Sequence, residues 1–156
     1  MLLLITFAVQ AQNPEAELYE KARAIHEKVI TIDTHDDINI RNFTDSLNYS
    51  MNLDTQVNIP KMEEGGLDVS WFVVYSGQGE LNADGYKGAY ENAMSSFKAI
   101  HKLVNEFAPE KIGLATSSNE VRKLVNDGKL VAIVMAFRSP LLHQFHINPS
   151  PSILPI

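Results

Sequence analysis

The sequence predicts a parallel α/β fold. Three short apolar runs carry that expectation, Val29 to Ile32, Val69 to Tyr75 and Lys129 to Val134, with stretches of helical period placed between them. The middle run is apolar on both faces, as a strand covered by helices on each side must be. At 156 residues, 45% hydrophobic and 21% charged, the chain has enough apolar material for one core.

The first element is not read as part of that core. Leu2 to Val9 is an unbroken apolar run ended by Gln10-Ala11-Gln12. It is far short of the roughly 20 residues that span a bilayer, and Val9-Gln10-Ala11 is a small-residue cleavage pattern. Residues 1–12 are therefore expected to be a signal peptide, and the protein to be exported to a periplasm or the cell exterior. No transmembrane helix is expected. The competing reading is a buried amino-terminal strand.

Leu18, Ala22, Ile25 and Val29 step by helical intervals, so an amphipathic helix is expected from Pro14 to Lys28, capped by Asn13. The β-branched run Val29 to Ile32 follows as a strand. Residues 41–58 are polar and read as a long loop, a common place for function. A short helix over Ile59 to Glu64 stops at Gly65-Gly66. After the strand Val69 to Tyr75, Ser76 to Gly88 reads as a glycine-rich loop, and Ala89 to Ala108 as a helix. Ser117 and Glu120 form a capping box for a helix closed by Gly128, before the third strand. Beyond Met135 the pattern fails. The last 21 residues hold four of the seven prolines and none of the 19 acidic residues, so residues 136–156 are expected to lie outside the fold of 13–135.

Charge and composition exclude several functions. The net charge of −6 argues against nucleic acid and anionic membrane as partners. With no cysteine there is no disulfide, thiolate metal site or cysteine nucleophile. A metal would have to be held by His, Asp and Glu.

One cluster has that chemistry, Asp33-Thr34-His35-Asp36-Asp37 at the end of the first strand. Residues two apart on a strand point to one side, so Asp33, His35 and Asp37 are expected to share a face. An imidazole beside a carboxylate supplies two ligands for a divalent cation, and carboxyl ends of parallel strands carry active sites in α/β folds. Asp33, one layer deeper, would orient the imidazole. The plain alternative is that these side chains cap the next element and pair with one another.

Other candidates are weaker. His26 and His101 sit beside helical apolar stripes and read as surface or edge packing. His143 and His146 lie among prolines. Trp71, Phe72 and Tyr75 read as core strand residues. Gly77-Gln78-Gly79 lacks the further glycine and Lys-Ser/Thr of phosphate loops, Ser76 has no base nearby, and Glu63-Glu64 reads as a solvated helix face.

Ile32-Asp33-Thr34-His35-Asp36-Asp37 resembles the Asp-Gly-His-Asn-Asp stretch that opens the renal (membrane) dipeptidase family of metallopeptidases. Gln56 to Met62, Gly65-Gly66-Leu67 and Ser70 to Tyr75 resemble its next block in order and spacing, and Gly128 to Val134 its third strand. The resemblance covers about residues 24–135. It implies the first three strand-helix units of a TIM-type (β/α)8 barrel, truncated, because a complete barrel takes about 250 residues. It also implies a dipeptide substrate cleaved by zinc-activated water, two zincs per intact site, His35 and Asp37 as ligands of the first, and a homodimer in some intact members. A general amidohydrolase barrel is disfavoured, since that superfamily presents His-X-His at this strand.

The departures limit the activity. Thr34 stands for the family's usual Gly and Asp36 for its usual Asn. The third strand runs into Met135-Ala136-Phe137-Arg138-Ser139 without the Glu that bridges both zincs, and His143 and His146 match no later family motif. The expectation is an amino-terminal fragment, truncated or frameshifted near Met135, holding one zinc loosely or none. The rival is an inactive fragment or a weak metal-binding module without turnover.

Overall fold

The computed structural model describes residues 14–77 and 79–136. Four helices and four strands alternate in chain order: α1 (Pro14–His26), β1 (Ile32–Asp37), α2 (Ile59–Gly65), β2 (Val69–Val74), α3 (Ala83–Lys102), β3 (Ile112–Leu114), α4 (Ser118–Asn126) and β4 (Leu130–Ala136). The strands form one parallel sheet in the order β1-β2-β4-β3.

That order fixes where the helices go. The chain moves outward from β2 to β3, then steps back to place β4 between them. Right-handed crossovers put the helices of an outward and a backward step on opposite faces. Side-chain alternation along β2 and β4 agrees. Phe72, Val74 and Ala132 pack with Ile59 and Met62 of α2 and with Ala99 and Ile100 of α3. Val69 and Val131 face the other way, against Val121, Leu124 and Val125 of α4. Gly113 of β3 is the close-approach point, since a Cβ there would lie 2.6 Å from Leu124 Cδ2. The parallel α/β expectation holds, with helices on both faces.

Local chemistry explains the helix boundaries. Asn58 caps α2 by accepting from Lys61 N, and Gly66 ends it at φ +69°, a left-handed conformation that favours glycine. Ser117 caps α4 as expected. The Glu120 carboxylate reaches one residue further than a regular capping box, accepting from Thr116 N at 2.7 Å and from its hydroxyl at 2.8 Å.

Three expectations are corrected. The first strand begins at Ile32 rather than Val29, so the ionisable cluster is the strand itself and not its sequel. Val29 is exposed, and Thr31 is tied down by its N–H to Asp68 Oδ2 and its hydroxyl to the Gly66 carbonyl. The third helix begins at Ala83, inside the stretch read as a glycine loop, because Asn82 accepts from Gly85 N at 2.8 Å. It then continues through a π-helical turn, Leu103–Phe107. The short β3 was not anticipated; three residues are too few to show a period. The expected signal peptide and the tail from Phe137 onward lie outside the described residues.

Candidate functional site

Parallel register brings the carboxyl ends of β1 and β2 to one end of the sheet, and β1 is irregular there. Asp33 pairs with Ser70 and Asp36 with Phe72, so β1 takes three steps where β2 takes two. This bulge breaks simple alternation. Asp37 pairs with Val73, while Asp33 and Asp36 keep to the Ser70 and Phe72 side. The shared face expected for Asp33, His35 and Asp37 is thus corrected for Asp33. Its carboxylate accepts from the backbone N–H of His35 at 2.9 Å, so it fixes the main chain of that residue.

His35 and Asp37 come together. The imidazole Nε2 lies 3.8 Å from Asp37 Oδ1, both side chains are more than half exposed, and both line a cavity of about 590 Å³. Its other walls include Asn39, Val73, Tyr75, Ser76, Asn92 and Ser96. Tyr75, expected in the core, is 65% exposed here. Ser76 Oγ is buried with no hydrogen-bond partner among the described residues. Asp33, His35 and Asp36 also line a smaller cleft with Gln56, Lys61 and Leu67 on the α2 side of the strand.

Asp36 is the buried acid of the cluster. The Ser70 hydroxyl donates to its Oδ2. Burial pushes the Asp36 carboxyl above the usual carboxylate range, the Ser70 hydrogen bond opposes that shift, and Asp33 and Asp37 add to it. The loop beyond is pinned by Tyr49, whose hydroxyl accepts from Asn39 N at 3.0 Å and whose ring stacks on Phe43 at 4.7 Å between centroids. Burial raises the Tyr49 phenol above its ordinary value. Sequence reasoning missed both supports. Nothing local marks Ser70 or Tyr49, since each meets its partner only through the fold.

The donor types at His35 and Asp37 suit a divalent cation, but a catalytic zinc takes three protein ligands and an open position. Among the described residues no third His, Asp or Glu joins the pair. What is described fits half of a metal centre, and no hydrolytic step is derived through it. His101 packs at a tilt against Phe97, 4.3 Å between ring centroids, with its Nε2 buried and without a hydrogen-bond partner among the described residues, and it does not line this cavity, while His143 and His146 lie outside the described residues.

A model of the membrane dipeptidase family (peptidase family M19) matches residues 19–144. The match starts before the resemblance read from the motifs and ends nine residues beyond it. Among solved structures, the probable dipeptidase PvdM from Pseudomonas aeruginosa is similar, with a TM-score of 0.71 and 17% sequence identity. The similarity covers 78% of this chain and 31% of that one. At that identity the likeness speaks for the fold alone. No match was found among curated proteins.

Proposed function

The chain belongs to the membrane dipeptidase family, and we propose that it is the amino-terminal part of a zinc-dependent dipeptidase barrel, with His35 and Asp37 as two ligands of the first metal. The observation that carries this reading is their approach to 3.8 Å at the carboxyl end of β1, on the rim of an open cavity. With the ligands of an intact site completed, zinc held there would supply a hydroxide near neutral pH and polarise the peptide carbonyl. Here Asp37 and His35 offer it two donors, Asp33 steadies the main chain of His35, and the cavity walls offer a dipeptide the Tyr75 hydroxyl and the Asn92 amide. A cation on two exposed donors exchanges readily, so the chain by itself is a weak metal binder rather than a working hydrolase. Supporting the partial-barrel reading, the chain spans 31% of the length of the similar dipeptidase, and among the described residues β1 pairs on one side only.

The test is a metal count on the full chain after loading with zinc and dialysis. One zinc held loosely or none is expected, with the loose ion lost on His35→Ala. Retention of two zincs with dipeptide hydrolysis would overturn the fragment reading and establish an intact catalyst. Export is part of the same proposal, supported by the apolar run Leu2 to Val9. A mature chain beginning near Gln12 is expected by mass spectrometry, and an intact Met1 in secreted material would contradict cleavage.

A further inference from the structure

The cavity beside β1 has two walls that come from separate parts of the chain. Ile38, Asn39 and Ile40 belong to the stretch that follows β1, and Asn92 and Ser96 to α3. The first wall hangs from a small hairpin. Phe43 and Asn48 pair antiparallel, Thr44 and Leu47 exchange backbone bonds at 2.9 and 3.3 Å, and the Tyr49 hydroxyl accepts from Asn39 N. Burial of Phe43 and Tyr49 anchors the stem of this hairpin. Its tip is Asp45, whose exposed carboxylate accepts from Lys102 Nζ at 2.9 Å. Lys102 is the last residue of α3, so the pair joins the two walls beyond the cavity.

The end of α3 is shaped to hold that lysine. The Ala108 N–H reaches the Leu103 carbonyl, five residues back, at 2.9 Å, which is the bond of a π-turn. In an α-helix a side chain five residues on points well away from the first. The wider turn instead sets the Phe107 ring under Lys102, with 4.6 Å from the ammonium to the ring centroid. The ring face restrains a side chain that would otherwise swing among many rotamers, and leaves its protons free to meet Asp45.

We propose that Lys102 is the clasp of this cavity: braced on Phe107 and paired with Asp45, it ties the loop wall to the helical wall and sets the distance between them. The tie is electrostatic and open to water, so it loosens as salt rises, and the cavity widens with it. Neither His35 nor Asp37 takes part, so the clasp acts whether or not a metal sits between them.

The chain has no cysteine, so two introduced thiols can carry the only spin labels. Ile40→Cys and Asn92→Cys place one label on each wall, both at exposed positions. Double electron–electron resonance on the full chain at about 20 mM salt should give a narrow distance distribution. Lys102→Met should broaden it toward longer distances. Asp45→Asn should do the same, and the double change should be no worse than either alone. Lys102→Arg keeps a cation over the ring and should preserve the narrow distribution. Raising the salt to about 500 mM should broaden the wild type and leave Lys102→Met where it was. Hydrogen-exchange protection of the Asn39 amide should fall roughly twofold to fivefold in Lys102→Met, the range of an exposed ion pair, with β2 and β4 unchanged. A distribution indifferent to both Lys102→Met and salt overturns the proposal. So does a wild type already broad at low salt. A loss of protection shared equally by β2 and β4 would make the pair an ordinary stabilising contact, and so also overturn it.

Discussion

Single residues at the cluster divide between those exposed for chemistry and those buried to hold them. Asp36 is the exception that joins both groups, a carboxyl 8% exposed beside two acids and an imidazole. Its partner is the Ser70 hydroxyl, and Ser70 is itself fully buried. Ser70→Ala would leave a buried acid without its donor, a loss of about 1–3 kcal/mol. Urea unfolding at pH 7 should show a lower midpoint with an unchanged slope. In place of Asp36 the family's usual residue, by resemblance, is Asn, which fills the same space without charge. The ionisable residues themselves were legible, because the density of acid and imidazole in five positions is visible without a fold. Which acid turns inward was not, because the bulge against β2 decides it and pairing register is a property of two strands.

Helices were the most legible elements, where caps announce them. Ser117 marks its helix in sequence and in structure, Asn58 is a cap that only the structure shows, and Gly66 and Gly128, both read as helix ends, have positive φ. α3 shows how that reasoning fails: Gly85 and Gly88 argue for a loop, yet Asn82 supplies the cap and the helix runs through both. At α4, the Glu120 carboxylate is held below its usual range by the Thr116 N–H and hydroxyl and by Ser117. A depressed folded-state value means the unfolded chain takes up the proton first. The stabilisation from Glu120 is therefore complete above the ordinary value of 4.5 and disappears as pH falls through the lower folded one. Glu120→Ala should lower the melting temperature at pH 7, and the gap to wild type should close as pH falls below the lowered folded-state value, where the carboxylate is protonated in both states. A gap independent of pH would mean that helix propensity, not the hydrogen bonds, sets the effect.

At the level of the whole molecule, burial is concentrated in β2 and β4. Val69, Ser70, Val131 and Ala132 are fully covered, while β1 keeps only Asp36 from solvent. Hydrogen exchange should follow that gradient, with slow amides in Val69 to Val74 and Leu130 to Ile133 and fast ones in α1 and along β1. Slow exchange throughout β1 would show that its second edge is paired in solution. The parallel α/β class was readable because apolar runs and helical stripes are periodic signals, whereas the order of the strands was not, since it depends on which strand the chain steps back to. That step has a consequence in time. When the chain is made from its amino end, Ile112 to Leu114 emerges with nothing to pair with, because its neighbour in the sheet is not β2 but the later segment Leu130–Ala136. The sheet can be joined across its middle only after that last strand has left the ribosome, so a nascent chain halted before it carries β1 and β2 as a lone pair.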